Sequence, residues 1–299
     1  MDKVASTKTS YVRRAEQLIR AFERETSRVL ADDPHAMFSW FNAKVPTLRK
    51  SSFRLYKASL VYYFSLYGPT ELALCIGSIH GSMAALNIQK HKTSSNKMKH
   101  VPLDIFYAII IELTNSKSEY ADLLACWITC NSILGLRPEE WKTASFSGNT
   151  LMCQNAKFTN GRGRFGNRNL NLENVQPYIL DAAKKFICER DLLIARGVTF
   201  KDIYTGCRQL LLRIQIKLFP RAKQRLSLYS TRHQSIANAK FGGLSKEEIA
   251  VMYGHSSHKT AINHYAQRKY GRNFFMLSGK EALPLATEES FASPTEDLQ

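Results

Sequence analysis

Nothing in this 299-residue chain approaches a membrane span of roughly 20 consecutive apolar residues, and Met1 to Arg14 hold no apolar signal-peptide core. Secretion and membrane insertion are therefore poor readings. Disulfide chemistry is equally unsupported. The six cysteines (Cys75, Cys126, Cys130, Cys153, Cys188 and Cys207) are scattered, with no CxxC and no framework of close spacings. Cys126 and Cys130 share a helix face, but Leu123, Trp127 and Ile133 surround them and no second ligand pair follows. Buried apolar thiols are expected there rather than a zinc site. Acidic residues are also scarce. Asp plus Glu total 25 against 42 for Lys plus Arg, which leaves a net charge of +17. Such an excess repels itself in the free protein and usually persists because a polyanion neutralises it, nucleic acid being the commonest. A hydrophobic content of 44% suffices for packed cores and excludes global disorder.

The chain reads as mainly α, in four parts: a helical bundle over 1–92, a basic linker over 93–100, a larger domain over 101–280 and an acidic disordered tail over 281–299. In the first part Tyr11, Ala15, Leu18, Ile19 and Phe22 form one stripe of a helix over 10–30. A second helix is expected from an N-cap at Ser51 or Ser52 to the Gly68-Pro69 stop, and a third from there to about Leu86. Lys90, Lys92, Lys97 and Lys99 fall in a polar stretch without apolar periodicity, suited to a tether or to tracking a phosphate backbone. Helices resume at Leu103–Leu113 and Glu119–Leu134, ending at Gly135. From Ala144 to Leu172 the period changes, and turn signals at Ser147-Gly148-Asn149 and Asn160-Gly161 imply a small three-stranded antiparallel sheet. Further helices follow at Ile203–Leu218, at Thr231–Phe241 and after the capping box Ser245-x-x-Glu248.

Four segments carry residues suited to chemistry on an anion. In Gly135-Leu136-Arg137-Pro138-Glu139-Glu140, Arg137 stands between a Gly-terminated helix and a Pro-started one, with Glu140 spaced to hold its guanidinium. Lys157, Arg162, Arg164 and Arg168 flank the Asn160-Gly161 turn, as on a basic hairpin tip that enters a groove or meets phosphates. In Tyr229-Ser230-Thr231-Arg232-His233, Ser230 reads as an N-cap that places Arg232 in the first helical turn. Gly254-His255 closes the next helix, and Tyr265 follows ten residues on, expected in a second short helix. A helix, a Gly turn and a second helix over 245–265 also fit a helix-turn-helix, the signature of a non-catalytic DNA-binding regulator. Each segment has a bland alternative as a solvated loop or ordinary surface.

In this order and spacing the segments resemble the tyrosine recombinase (phage integrase) family. The match runs over about residues 100–275 as Arg137, a hairpin Lys157, Tyr229-x-x-Arg232, Gly254-His255 and Tyr265. Tyr229 stands where the family usually carries His. The N-terminal bundle is similar to the family's core-binding domain. The resemblance implies a site-specific recombinase that cuts and rejoins duplex DNA, as an integrase or resolvase of a mobile element. Tyr265 would be the nucleophile of a 3′-phosphotyrosyl link, and Arg137 and Arg232 would clamp the non-bridging oxygens. His255 would add a hydrogen bond to the phosphate, and Lys157 would protonate the departing 5′-oxygen. Tyr229 would accept the Tyr265 proton or merely position groups. Glu140 and His233 would support the site, and Lys90, Lys92, Lys97, Lys99, Arg162 and Arg164 would contact DNA. No cofactor and no metal are implied. The partners are a specific DNA site and a homotetramer on two duplexes, assembled from a free monomer at the cytoplasmic nucleoid of a bacterial or mobile-element host. A type IB topoisomerase uses the same residue kinds and is the alternative in chemistry.

Overall fold

A computed structural model describes residues 5–84, 97–156, 166–255, 265–272 and 285–286, apart from the side chains of Ser6, Met83, Leu285 and Ala286. The chain divides into two compact units, Met1–His91 and Lys92–Gln299.

The first unit is a four-helix cluster. Helix α1 (Ala5–Thr26) buries Ala15 and Phe22, and α3 (Lys50–Tyr67) buries Phe53, Leu60 and Phe64. Between them α2 (Pro34–Lys44) starts where the Asp33 carboxylate accepts the Ala36 N–H, with Pro34 at the first helical position. It inserts Met37 and Phe41, and the Phe41 and Phe53 rings stack with centroids 6.2 Å apart. The sequence reading omitted α2 despite these start signals, because Met37, Phe38, Trp40 and Phe41 are spread around the helix without a one-sided apolar stripe. Three helices also differ in their bounds, α1 running from Ala5 to Thr26 where 10–30 was expected. Helix α3 begins at Lys50 after an extended Arg49, with no serine cap, and α4 (Thr70–Ser78) ends well short of Leu86.

The second unit is built around α6 (Ala121–Leu134), which is buried on nearly every side and so lacks the one-sided stripe of a surface helix. Packed around it are α5 (Leu103–Thr114), α7 (Pro177–Ala195), α8 (Phe200–Leu218) and α9 (Leu228–Phe241). Trp127 of α6 meets Phe186 of α7 and Phe200 of α8. A short helix, α10 (Lys246–Met252), carries the expected box: the Ser245 hydroxyl accepts from Glu248 N and the Glu248 carboxylate accepts from Ser245 N.

The sheet lies between α6 and α7 in sequence. Strands β1 (Ser145–Ser147), β2 (Thr150–Gln154) and β3 (Asn167–Asn171) are antiparallel neighbours, with Ser147 opposite Thr150 across the Gly148-Asn149 turn. Leu285–Ala286 adds a short fourth strand, β4, against Leu170 and Asn171, although composition assigned this stretch to a disordered tail. The Asn160-Gly161 turn lies outside the described residues.

The described end of the basic linker is not a free tether. Met98 N donates to the Arg225 carbonyl at 2.9 Å, Ser230 Oγ donates to the Met98 carbonyl at 2.7 Å, and Val101 N donates to Gln234 Oε1 at 2.9 Å. Lys97 and Lys99 are exposed on this strap, while Lys90 and Lys92 lie outside the described residues. Among the described residues no helix is long and apolar enough to cross a membrane. All six cysteines are free; three are buried, Cys75 and Cys126 are half-buried and Cys188 is exposed.

Candidate active site

Every catalytic candidate in the described residues converges on the N-terminal half of α9. That helix is capped by Ser227, not Ser230. The Ser227 and Ser230 hydroxyls lie 3.1 Å apart and Ser230 Oγ accepts from Ser227 N at 3.0 Å, a reciprocal box that starts the helix one turn earlier than expected. Arg232 is therefore beyond the first turn, past the free N–H groups of the helix end. Its position is fixed by tertiary contacts instead.

Arg232 is wholly buried, and each of its three nitrogens has a protein partner. Nη1 donates to the Gly135 carbonyl at 2.6 Å and Nη2 to the Tyr253 carbonyl at 2.7 Å. His255 Nε2 is 3.2 Å from Nη2, and Nε donates to the Tyr265 phenolic oxygen at 3.2 Å. Gly135 ends α6 in the left-handed region (φ +64°), and a Cβ there would lie 2.5 Å from the Tyr253 ring and 2.6 Å from Ser235 Oγ. Only glycine lets these elements close behind Arg232.

Arg137 follows directly, at the start of the 3₁₀ turn Pro138–Lys142. Its Nη1 pairs with Glu140 Oε1 and donates to Asn155 Oδ1 at 3.0 Å, and its Nη2 donates to the Gly254 carbonyl at 3.2 Å. The buried Nε makes no hydrogen bond, and Nη2 uses one of its two N–H groups, so two of the five guanidinium N–H groups are unused. Glu140 is wholly buried among three guanidiniums: Arg137, Arg168 Nη1 at 2.7 Å and Arg232 Nη1 at 3.6 Å. Burial pushes its carboxyl upward, but Arg168, Arg232 and Arg137 overcome this and hold it at about 2.

Tyr265 is nearly buried, and its oxygen lies 2.8 Å from that of Tyr229. Burial alone would raise the Tyr265 phenol, but Arg232, the hydrogen bond with Tyr229 and Arg137 bring it below its ordinary value. Tyr229 moves the other way, pushed by burial up to about 12. Either oxygen of this pair can be the donor. The 2.8 Å contact suits either role open to Tyr229, proton acceptor or positioning group. The Tyr265 ring lies between His255 (centroids 5.0 Å) and His233 (4.9 Å). Burial, with Lys99, Arg232 and Lys240, lowers His233 to about 4.

Arg137, Glu140, Tyr229, Arg232, His233, His255 and Tyr265 are therefore within one cluster. Lys157, Arg162, Arg164 and the residues immediately before Tyr265 lie outside the described residues, as does the second half of the helix-turn-helix alternative. Tyr265 itself lies in a bend. Among the described residues no group of His, Cys, Asp and Glu could hold a metal ion.

Solved structures share this architecture. A lambda integrase dimer bound to a COC′ core site superposes with a TM-score of 0.55 at 13% identity, over 89% of this chain and 73% of that one. A lambda integrase tetramer bound to a Holliday junction gives 0.52 at 13% identity, over 91% and 74%. The chain has the fold of a tyrosine recombinase. No protein-family model and no curated protein matches its sequence.

Within that recombinase fold, sequence reasoning missed several supports. Asn131 donates to the Leu136 carbonyl at 3.1 Å and to Thr231 Oγ1 at 2.7 Å, and accepts from Trp141 Nε1 at 3.0 Å, so it ties α6, the Arg137 loop and α9 together. Ser235 and Tyr253 share a 2.6 Å hydrogen bond behind Gly135. Arg168, expected on a basic hairpin tip, is buried instead. Strand alternation carried the signal: Arg168, Leu170 and Leu172 lie on one buried face, as do Leu151, Cys153 and Asn155.

Proposed function

We propose that this chain is a site-specific DNA recombinase that cuts and rejoins duplex DNA through a 3′-phosphotyrosyl intermediate, as an integrase or resolvase of a mobile element. The observation that carries the reading is the contact of Tyr265 Oη with Arg232 Nε, inside a buried cluster where Arg137 keeps two unused N–H groups. Tyr265 gives its proton to solvent, its phenolate favoured by Arg232 and by contact with Tyr229, and its oxygen attacks a backbone phosphorus. The bond from phosphorus to the 5′-oxygen breaks, and Lys157 protonates that oxygen. Arg137, Arg232 and His255 stabilise charge on the non-bridging oxygens, a contribution worth about 10²–10³ in rate per well-placed donor. The phosphotyrosine conserves the bond energy, so religation by a 5′-hydroxyl of the partner duplex needs no ATP.

Four protomers act on two duplexes, because exchange of two double strands takes four cleavages. The net charge of +17 supports a DNA partner, and the lambda integrase structures of the same fold hold DNA as a dimer and as a tetramer. Exposed Lys97 and Lys99 are suited to backbone contact, as are Lys90, Lys92, Arg162 and Arg164 by their position in the sequence. Units 1–92 and 101–280 divide the work, the first gripping the site and the second cleaving it.

The test is a nicked suicide duplex of the element's own junction. Wild type should form a covalent adduct in excess EDTA, and Tyr265→Phe should bind equally but form none. Adduct formation by the Phe variant would remove Tyr265 as nucleophile. Supercoil relaxation by a monomer without strand exchange would favour the topoisomerase reading, and tight binding without any adduct the non-catalytic regulator.

A further inference from the structure

Arg168 belongs to no part of the chemistry just described, yet it is a guanidinium only 3% exposed, on the inward face of β3. Its two arms join two elements that the site needs. Nη1 donates to Glu140 Oε2 at 2.7 Å, and Nη2 donates to the Met252 carbonyl at 2.7 Å, at the end of α10. That end leads through Tyr253 and Gly254 into His255, and His255 N returns to the Ala250 carbonyl at 2.8 Å. Helix C-terminal carbonyls are the negative end of the helix, so a buried cation there is well placed.

The Glu140 carboxylate has two oxygens and three guanidiniums around it. Arg137 takes Oε1 through its side chain and Oε2 through its backbone N–H at 2.7 Å. Arg168 takes the remaining capacity of Oε2, and Arg232 stays 3.6 Å away, beyond hydrogen-bond range. The Arg232 fork is thereby left for Gly135, Tyr253, His255 and Tyr265. Without Arg168, a buried carboxylate oxygen would lose its closest cation, and Arg232 is the nearest replacement.

We infer that Arg168 is a positioning residue of this site: by occupying Glu140 Oε2 it keeps Arg232 on Tyr265 and the phosphate, and by holding the Met252 carbonyl it fixes the turn that presents His255. This rests on the recombinase reading above. The hydrogen bonds of Arg168 go to Glu140 and Met252 and not to Tyr265, so its effect passes through Glu140, Arg232 and the α10 end. The groups facing Tyr265 are Arg232, Arg137, Tyr229, His233 and His255, and of these Arg232 shares the carboxylate with Arg168.

The experiment measures adduct formation on the suicide duplex against pH, and binding to an uncleavable half-site, for wild type, Arg168→Gln and Arg168→Lys. Arg168→Gln should bind DNA as wild type does but form adduct about 10²-fold more slowly, the scale of one misplaced donor to developing charge. Its rise in rate with pH should also move to higher pH, because Arg232 drawn toward Glu140 favours the Tyr265 phenolate less. Arg168→Lys keeps the charge but cannot fork to both acceptors. It should retain the wild-type pH dependence and lose rate by about tenfold, through the freed α10 end, a partial loss of donor alignment. An unmoved pH dependence in Arg168→Gln, or a wild-type rate in Arg168→Lys, would overturn the inference. Should the glutamine variant not fold, the rate of the lysine variant decides alone. A wild-type protein that forms no adduct would instead overturn the recombinase reading itself.

Discussion

Two titratable residues, Glu140 and His233, set how the folded site responds to acid. Glu140 is held at about 2 in the folded protein, below an ordinary carboxyl near 4.5, so its stabilisation is full above that value and is lost as pH falls toward 2. The linkage amounts to roughly 3 kcal/mol, at about 1.4 kcal/mol per pH unit. His233 is lowered from 6.5 to about 4, so the folded state binds fewer protons than the unfolded state between those values and stability again falls with acid. Urea midpoints should therefore decline below pH 6.5, with a second decline below about 4.5. His233→Phe should flatten only the upper part. A midpoint independent of pH between 7 and 3 would refute both assignments. Arg137, Arg232, His255 and Tyr265 were legible as residue types in order along the chain, because each occupies a short local motif. Arg168 and Asn155 were not, because their partners Glu140, Met252 and Arg137 come from other segments.

Among the elements, α9 and the segment 265–272 depend on one another. Lys240 Nζ donates to the Ala266 carbonyl at 2.8 Å, Gln234 Nε2 to the Tyr270 carbonyl at 2.8 Å, and Arg272 N to Asn238 Oδ1 at 3.0 Å. Gly271 lies against the helix so closely that a Cβ would meet the Ala237 carbonyl at 2.2 Å and Phe241 Cβ at 2.4 Å. Gly271→Ala should lift this segment, displace Tyr265 and lower the adduct rate by at least about tenfold, since misplacement of reacting groups by 1 Å costs up to 10²-fold. Half-site binding by the first unit should persist, and a wild-type adduct rate would show that the segment does not position the nucleophile. Ser227→Ala removes the cap of α9 and should cost about 1 kcal/mol in chemical denaturation, with Ser230→Ala comparable. The helices with clear apolar periodicity were legible at this scale, α5 and α8 among them. Helix α9 had a misplaced start because its buried face is polar: Ser230, Thr231, Gln234, Ser235 and Asn238 are all inside, and no apolar stripe marks where it begins.

For the whole molecule the dominant quantity is charge. A protein that neutralises of order 10 phosphates should show a slope of log affinity against log salt near −9 on duplex DNA. A slope shallower than about −3 would mean that the net charge of +17 serves another partner. By itself the sequence determined the basic character, the mainly helical class, the small sheet and the succession of Arg137, Arg232, His255 and Tyr265. These follow from composition, local periodicity and short motifs. Only the tertiary structure decided that Glu140 sits among three guanidiniums, that Tyr229 meets the Tyr265 oxygen, that Arg168 faces inward and that the strap from Lys97 to Val101 is bonded to the Arg225–Gln234 region. Each of these brings together residues from separate segments in a low-dielectric interior, where burial decides which group keeps its proton and which hydrogen bond is made.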